Sequence, residues 1–155
     1  MSRKQTVTLT NMCLIEDQNG HVVVQIRDPK RYRWSGVAFP GGHLLEGECF
    51  YDSVVREVYE ETGLTIHKAQ LVGIKHWPDQ EGDRYLVFLY KAIDYSGQIH
   101  STDEGEVRWV KKSELPQLDL AYDLLEVLKV MDSPELSEFF YTQKGEDGDW
   151  DRNFR

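Results

Sequence analysis

Apolar and β-branched residues dominate two early runs, residues 6–15 (TVTLTNMCLI) and residues 21–27 (HVVVQIR), with Glu16-Asp17-Gln18-Asn19-Gly20 between them. Both runs read as strands, and the Asn-Gly pair marks a hairpin turn. The second run is nearly all apolar, which predicts a central place in a sheet. Residues 70–77 and 84–92 read as strands joined by the polar stretch PDQEGD, and residues 106–110 as a short alternating strand. Helical spacing appears twice. One helix is opened by Gly47 and Glu48 and closes at Gly63, where a left-handed C-terminal cap fits; the other covers residues 120–131. The order β, β, short β, α, β, β, β, α predicts an α/β domain. A mixed central β-sheet would carry helices on both faces, a three-layer α/β/α sandwich.

Residues 132–155 are acidic and aromatic without a clear period. Phe139, Phe140, Tyr141, Trp150 and Phe154 are too apolar for a free tail. They are expected to dock on the domain or on a second copy of the chain, which would make a homodimer. No other role is assigned to this segment. At 155 residues, a single domain over 1–155 is expected.

The first helix carries the chemistry. At 100° per residue, Glu57, Glu60 and Glu61 share one face, while Tyr51, Val54, Val55, Val58 and Thr62 share a neighbouring face that would pack on a sheet. Three carboxylates on one face repel one another, so a cation belongs among them. Hard oxygen donors suit Mg²⁺ or Mn²⁺, which also bind phosphate oxygens. Just upstream, Pro40-Gly41-Gly42 presents backbone with no side chain in the way, so a carbonyl can approach a metal or phosphate closely.

The segment from Gly42 through Glu48 to Arg56-Glu57-Val58-Tyr59-Glu60-Glu61-Thr62-Gly63-Leu64 resembles the Nudix box, matched at every position from 42 to 64. The resemblance extends to about residue 131 and implies the Nudix fold. It also implies hydrolysis of a nucleoside diphosphate linked to another moiety, with an essential divalent metal, Mg²⁺ or alternatively Mn²⁺. Carried onto this chain, it makes Glu57, Glu60 and Glu61 metal ligands and the Gly41 carbonyl a further one, beside Gly42 on the substrate side. Glu48 and Arg56 would form a salt bridge supporting the loop–helix geometry. Glu104, five residues before Trp109, matches the catalytic base, with Asp103 and Glu106 as rivals.

Within the family the chain is most similar to MutT-type 8-oxo-dGTP diphosphatases. Arg27 precedes Phe39-Pro40-Gly41-Gly42 by the spacing seen there, which supports it as a phosphate contact. Leu115-Pro116-Gln117-Leu118-Asp119 aligns with the base-reading segment, so Asp119 is a candidate and Asp123 the alternative; Asp119 reads equally well as a helix N-cap. Trp34 and Phe39 flank a turn, as walls for a base or as core. The implied reaction converts an oxidised purine triphosphate such as 8-oxo-dGTP to the monophosphate and pyrophosphate, a nucleotide-pool sanitation and DNA-repair role. The box is common to hydrolases of ADP-ribose, dinucleoside polyphosphates, a pterin triphosphate or an RNA 5′ end, and a nucleotide-sensing module is a further alternative.

Charge sharpens the partner. A net charge of −9 argues against nucleic-acid polymers as partners and leaves a small nucleotide, since a bound metal inverts the local charge. Against that background, Arg27, Lys30, Arg31 and Arg33 form a basic cluster, of which Arg27 at a strand end is held most firmly. No apolar stretch is long enough for a membrane span or a leader, so no membrane partner and a cytoplasmic location are expected. Cys13 and Cys49 are not in metal-binding spacing and are expected to be unpaired and at least half-buried.

Overall fold

The computed structural model describes residues 2–30, 35–146 and 148–155. In chain order the elements are β1 (Val7–Ile15), β2 (His21–Arg27), β3 (Gly36–Ala38), α1 (Phe50–Thr62), β4 (Thr65–Pro78), β5 (Arg84–Ser96) and β6 (Gly105–Lys111). A 3₁₀ turn (Lys112–Gln117), α2 (Leu124–Asp132), β7 (Glu138–Lys144) and β8 (Asp149–Phe154) complete the chain. The strands form a five-stranded mixed sheet, β1-β5-β4-β7-β8, and a three-stranded antiparallel sheet, β3-β2-β6. The α/β architecture is the expected one, with the strands divided between two sheets instead of joined in one.

Alternation along the strands divides the core between the two helices. Cys13, Ile15, Val23 and Tyr90 face α1 and pack with its Val54 and Val58. Leu14, Val22, Val24, Val87 and Leu89 point the other way and pack with Val127, Val130 and Met131 of α2. Side chains of successive strand residues take opposite faces, so an apolar run can feed both layers at once. Tyr51, expected on the packed face of α1, is exposed and donates to the His67 carbonyl at 3.3 Å.

The predicted hairpin is half realised. Asp17 Oδ1 accepts from the N–H groups of Asn19 and His21, both at 2.8 Å, and closes the turn. Only Glu16 and Val22 then bridge; β1 pairs in parallel with β5, and β2 pairs with β6 and β3. Both strands are apolar on both faces, so each is stable between other partners.

The first helix starts at Phe50, three residues later than expected, with Cys49 as its N-cap accepting from Asp52 N–H at 3.3 Å. Gly47 and Glu48 belong to the loop. Gly63 has φ 83° and closes the helix by donating to the Tyr59 carbonyl, as expected. The second helix starts at Leu124, not residue 120, so Asp119 is not its N-cap. Both cysteines are free; Cys13 is buried, but Cys49 is exposed where half-burial was expected.

The aromatic tail docks on its own domain. β7 pairs in parallel with β4 through Ile74–Glu138, Lys75–Phe139 and His76–Phe140, and β8 pairs with β7. Phe139 is fully buried and stacks on Phe154 at 5.0 Å. No helix among the described residues is long and apolar enough to cross a membrane.

Candidate active site

The Pro40-Gly41-Gly42 turn is stitched onto β1. Cys13 N–H donates to the Pro40 carbonyl at 2.8 Å and Asn11 N–H to that of Gly42 at 2.9 Å. The Gly41 carbonyl between them meets no hydrogen-bond donor among the described residues. A Cβ at Gly41 would run into the Asn11 carbonyl, and one at Gly42 into the Glu57 carboxylate. Backbone crowding requires a glycine at 41, whereas at 42 a side chain would have to displace the Glu57 carboxylate. Asn11 holds the turn to α1, donating to Ser53 Oγ at 2.9 Å and accepting from Gly42 N–H at 3.3 Å.

Arg56 organises the acidic face. Its Nε and Nη2 grip Glu48 at 2.7 and 3.1 Å, its Nη1 reaches Glu57 and Glu60 at 3.0 Å each, and Nη2 also donates to the His43 carbonyl. The planar fork of five donors is what lets one cation orient three carboxylates. The expected Glu48–Arg56 salt bridge is thus present, within a larger network. Hydrogen bonds from Arg56 and from Leu45 N–H hold the Glu48 carboxyl down at about 2.

Glu61 is in the opposite electrostatic state. It is 5% exposed, takes one hydrogen bond from Gly41 N–H at 2.9 Å, and burial followed by the charges of Glu104 and Glu57 pushes its carboxyl up to about 8. Glu57 is also raised, chiefly by burial, with Glu60 and Glu104 adding repulsion. Three carboxylates from two elements thus converge, because the loop before β6 brings Glu104 to the C-terminal half of α1. Of its rivals, Glu106 instead pairs with Arg108 at 2.8 Å. Arg27 lies at the end of β2 with its charge near Glu61 and Tyr85.

Among the described residues, no three acidic, histidine or cysteine side chains stand close enough together to hold an ion as they are placed. The donor set nonetheless suits a hard divalent cation: Glu57 and Glu61, destabilised as anions, the exposed Glu60, and the Gly41 carbonyl.

Other expected site residues fall elsewhere. Phe39 is 1% exposed within the core around α2, so its side chain is packing and not a wall of the site. Trp34, Arg31 and Arg33 lie outside the described residues. Asp119 is exposed, and its backbone carbonyl accepts from Val37 N–H at 2.8 Å. Asp123 has φ 56°, and its carboxylate accepts from Tyr141 Oη at 2.6 Å and Arg152 Nε at 2.9 Å. Sequence reasoning missed Lys75, Trp77 and Tyr85, which line the sheet beyond the N-terminus of α2. Trp77 and Tyr85 stack at 4.5 Å, and Tyr85 Oη lies 3.3 Å from His43 Nε2. Their pairing across β4 and β5 could have been suspected from two aromatic strand residues flanking a short polar turn.

The NUDIX domain model matches residues 8–131, and the chain belongs to the Nudix family. It is 32% identical over 118 residues to the uncharacterized Nudix hydrolase YvcI of Bacillus subtilis, covering 73% of this chain and 71% of that one. To the ADP-ribose pyrophosphatase of Methanocaldococcus jannaschii it is 31% identical over 94 residues, covering 59% of this chain and 54%, about half, of that relative. The crystal structure of a MutT protein from Bacillus halodurans superposes with a TM-score of 0.75 at 26% identity, over 95% of this chain and 97% of that one. The fold and family are therefore those expected from the box, and the chain is a Nudix hydrolase. The family match ends at Met131, so the β7–β8 hairpin lies beyond it.

Proposed function

We propose that the protein hydrolyses a nucleoside triphosphate, with 8-oxo-dGTP the leading substrate, to the monophosphate and pyrophosphate. The observation that carries this reading is the convergence of Glu57, Glu61 and Glu104 on the Gly41–Gly42 turn with the Arg27 charge beside them. Glu57, Glu60, Glu61 and the Gly41 carbonyl would hold Mg²⁺, or Mn²⁺ in its place, which when bound supplies charge neutralisation and polarisation of phosphoryl oxygens. Arg27 orients a phosphate by a charge-assisted hydrogen bond. Glu104, exposed at the rim, takes the proton of the attacking water as its oxygen bonds to phosphorus and the bridging P–O bond breaks. Asp119 is the candidate for reading a base edge. Arg56 holds Glu57 and Glu60 in place.

ADP-ribose is the second reading, favoured by the likeness to the M. jannaschii pyrophosphatase. Assays of 8-oxo-dGTP, dGTP, ADP-ribose and a dinucleoside polyphosphate with Mg²⁺, beside Glu57→Gln, separate the two. Preference for 8-oxo-dGTP with release of pyrophosphate and an inactive variant supports the proposal. Preferential cleavage of ADP-ribose retains the hydrolase chemistry and discards the triphosphate substrate.

A further inference from the structure

A bulge between Leu71 and Gly73 resets the alternation of β4, so Lys75 and Trp77 face the α2 side beside their cross-strand partners Val87 and Tyr85. Lys75 is only 8% exposed. Its Nζ lies 5.2, 5.4 and 5.7 Å from the ring centres of Trp77, Tyr141 and Phe139. Among the described residues, no carboxylate or other acceptor is within hydrogen-bonding distance of it, yet the nitrogen is not sealed from solvent. The charged and titratable groups facing it are Asp123 at the entry to α2, Glu126 of α2, Arg152 of β8 and Tyr141 of β7. Asp123, the obvious counter-ion, is consumed by Tyr141 and Arg152.

This is an expensive place for a lysine. A lysine near a surface ordinarily extends its ammonium into water. Here burial drags its pKa down to about 8. Three aromatic faces support the positive charge but leave the N–H donors without strong acceptors. An ammonium held in this way has only water to accept from it until a ligand brings a better-placed acceptor.

The cage is joined to the carboxylate cluster by a continuous wall. Trp77 stacks on Tyr85, Tyr85 meets His43, and the His43 carbonyl accepts from Arg56. In sheet terms β4, β5, β1 and the His43 segment are successive neighbours, three steps of about 4.8 Å each. The cage thus lies a few strand spacings from the His43 segment, which directly follows the Gly41–Gly42 turn. Lysine only donates hydrogen bonds. A guanine edge offers O6 and N7 as acceptors, whereas adenine places an amino donor at the equivalent exocyclic position.

We propose that Lys75 reads the nucleobase, donating to the exocyclic oxygen of a guanine-type ring packed against Trp77 and Tyr85. This rests on the nucleotide-hydrolase reading above. Lys75 is a specificity residue in this role, remote from the bond that breaks, and a fixed donor there discriminates by leaving adenine's amino group facing an ammonium.

The test uses the full chain with Mg²⁺, comparing wild type, Lys75→Met and Lys75→Arg on 8-oxo-dGTP, dGTP and dATP. Binding of dGMP and dAMP is followed separately by quenching of tryptophan fluorescence. Lys75→Met is expected to lose tenfold or more in kcat/KM for the guanine nucleotides through KM, with dATP changed less than twofold. Binding of dGMP should weaken in parallel, Lys75→Arg should recover part of the guanine preference, and the melting temperature of Lys75→Met should not fall. Equal losses on all bases, a retained guanine preference in Lys75→Met, or a wild type that prefers adenine nucleotides would overturn the assignment while leaving the hydrolase reading intact. A wild type that cleaves no triphosphate but binds dGMP in a Lys75-dependent way would overturn the triphosphate reading and keep the base-reading role. Failure to bind either monophosphate overturns the inference.

Discussion

The Gly41–Gly63 segment and the aromatic cage around Lys75 solve their problems in opposite ways. The first is local: one loop and one helix supply the glycines, the orienting arginine and three of the carboxylates. Its unfavourable charges are organised by Arg56 and remain for a cation to neutralise. The second draws Lys75, Trp77, Tyr85, Asp123, Tyr141 and Arg152 from β4, β5, the entry to α2, and the C-terminal hairpin. A local motif carries chemistry common to a family, because its geometry is set by helix periodicity. A site assembled from distant strands is set by packing and is free to vary with the substrate.

If the hairpin builds the cage, removing its anchor should do the most damage. Phe139→Ala is expected to cost about 3–5 kcal/mol, the range for emptying a buried aromatic site, measured by urea unfolding. Loss of stability with Glu57-dependent metal binding retained in the folded fraction would confirm that the two regions are separable. Next comes the acidic cluster. Glu57→Gln and Glu61→Gln are each expected to lower kcat more than about 100-fold, beyond the effect of residues that only orient ligands. Fold stability should hold, because a neutral amide relieves repulsion.

Arg56→Ala should combine both costs. Stability is expected to fall by about 2 kcal/mol, less than for a fully buried pair because the guanidinium is partly exposed. Metal affinity should fall about 10–100-fold, and Arg56→Lys should not restore it, having no fork to bridge three carboxylates. Tyr141→Phe is gentler, removing the hydrogen bond to Asp123 at a cost of about 1–2 kcal/mol. It should raise KM more than it lowers kcat; an unchanged KM would detach the hairpin from substrate binding.

The smallest effect is a pH dependence that separates the two regions by sign. Glu61 binds its proton more tightly when folded, so the metal-free protein should lose stability as pH rises from about 5 to about 8. Mg²⁺ or Glu61→Gln should flatten that slope. Lys75 is shifted the other way, its folded pKa lying near 8, well below that of an ordinary lysine, so its cost is full at neutral pH and disappears at high pH. Thermal melts of Glu61→Gln and Lys75→Met across pH should therefore diverge, by a few degrees at ~2–4 °C per kcal/mol for a chain of this size.

The sequence by itself determined the strands from 7 to 27, the αL cap at Gly63, the helix face carrying Glu57, Glu60 and Glu61, and the family. These follow from periodicities of 2 and 3.6 and from the fixed spacing of a motif, which are properties of the chain alone. Only the tertiary structure decided that β1 and β2 leave their shared turn for different sheets, since two strands apolar on both faces hold no information about their partners. It also decided that Phe39 is core, that Asp123 is tied to Arg152, and that residues 138–154 become two strands at the edge of the five-stranded sheet. Those residues show no clear period because their faces are divided between a buried aromatic layer and an exposed edge. The isolation of Lys75 was invisible for the same reason: a lysine in an alternating strand reads as a solvent position, and only a bulge three residues earlier, with a hairpin supplied more than sixty residues later, turned it inward.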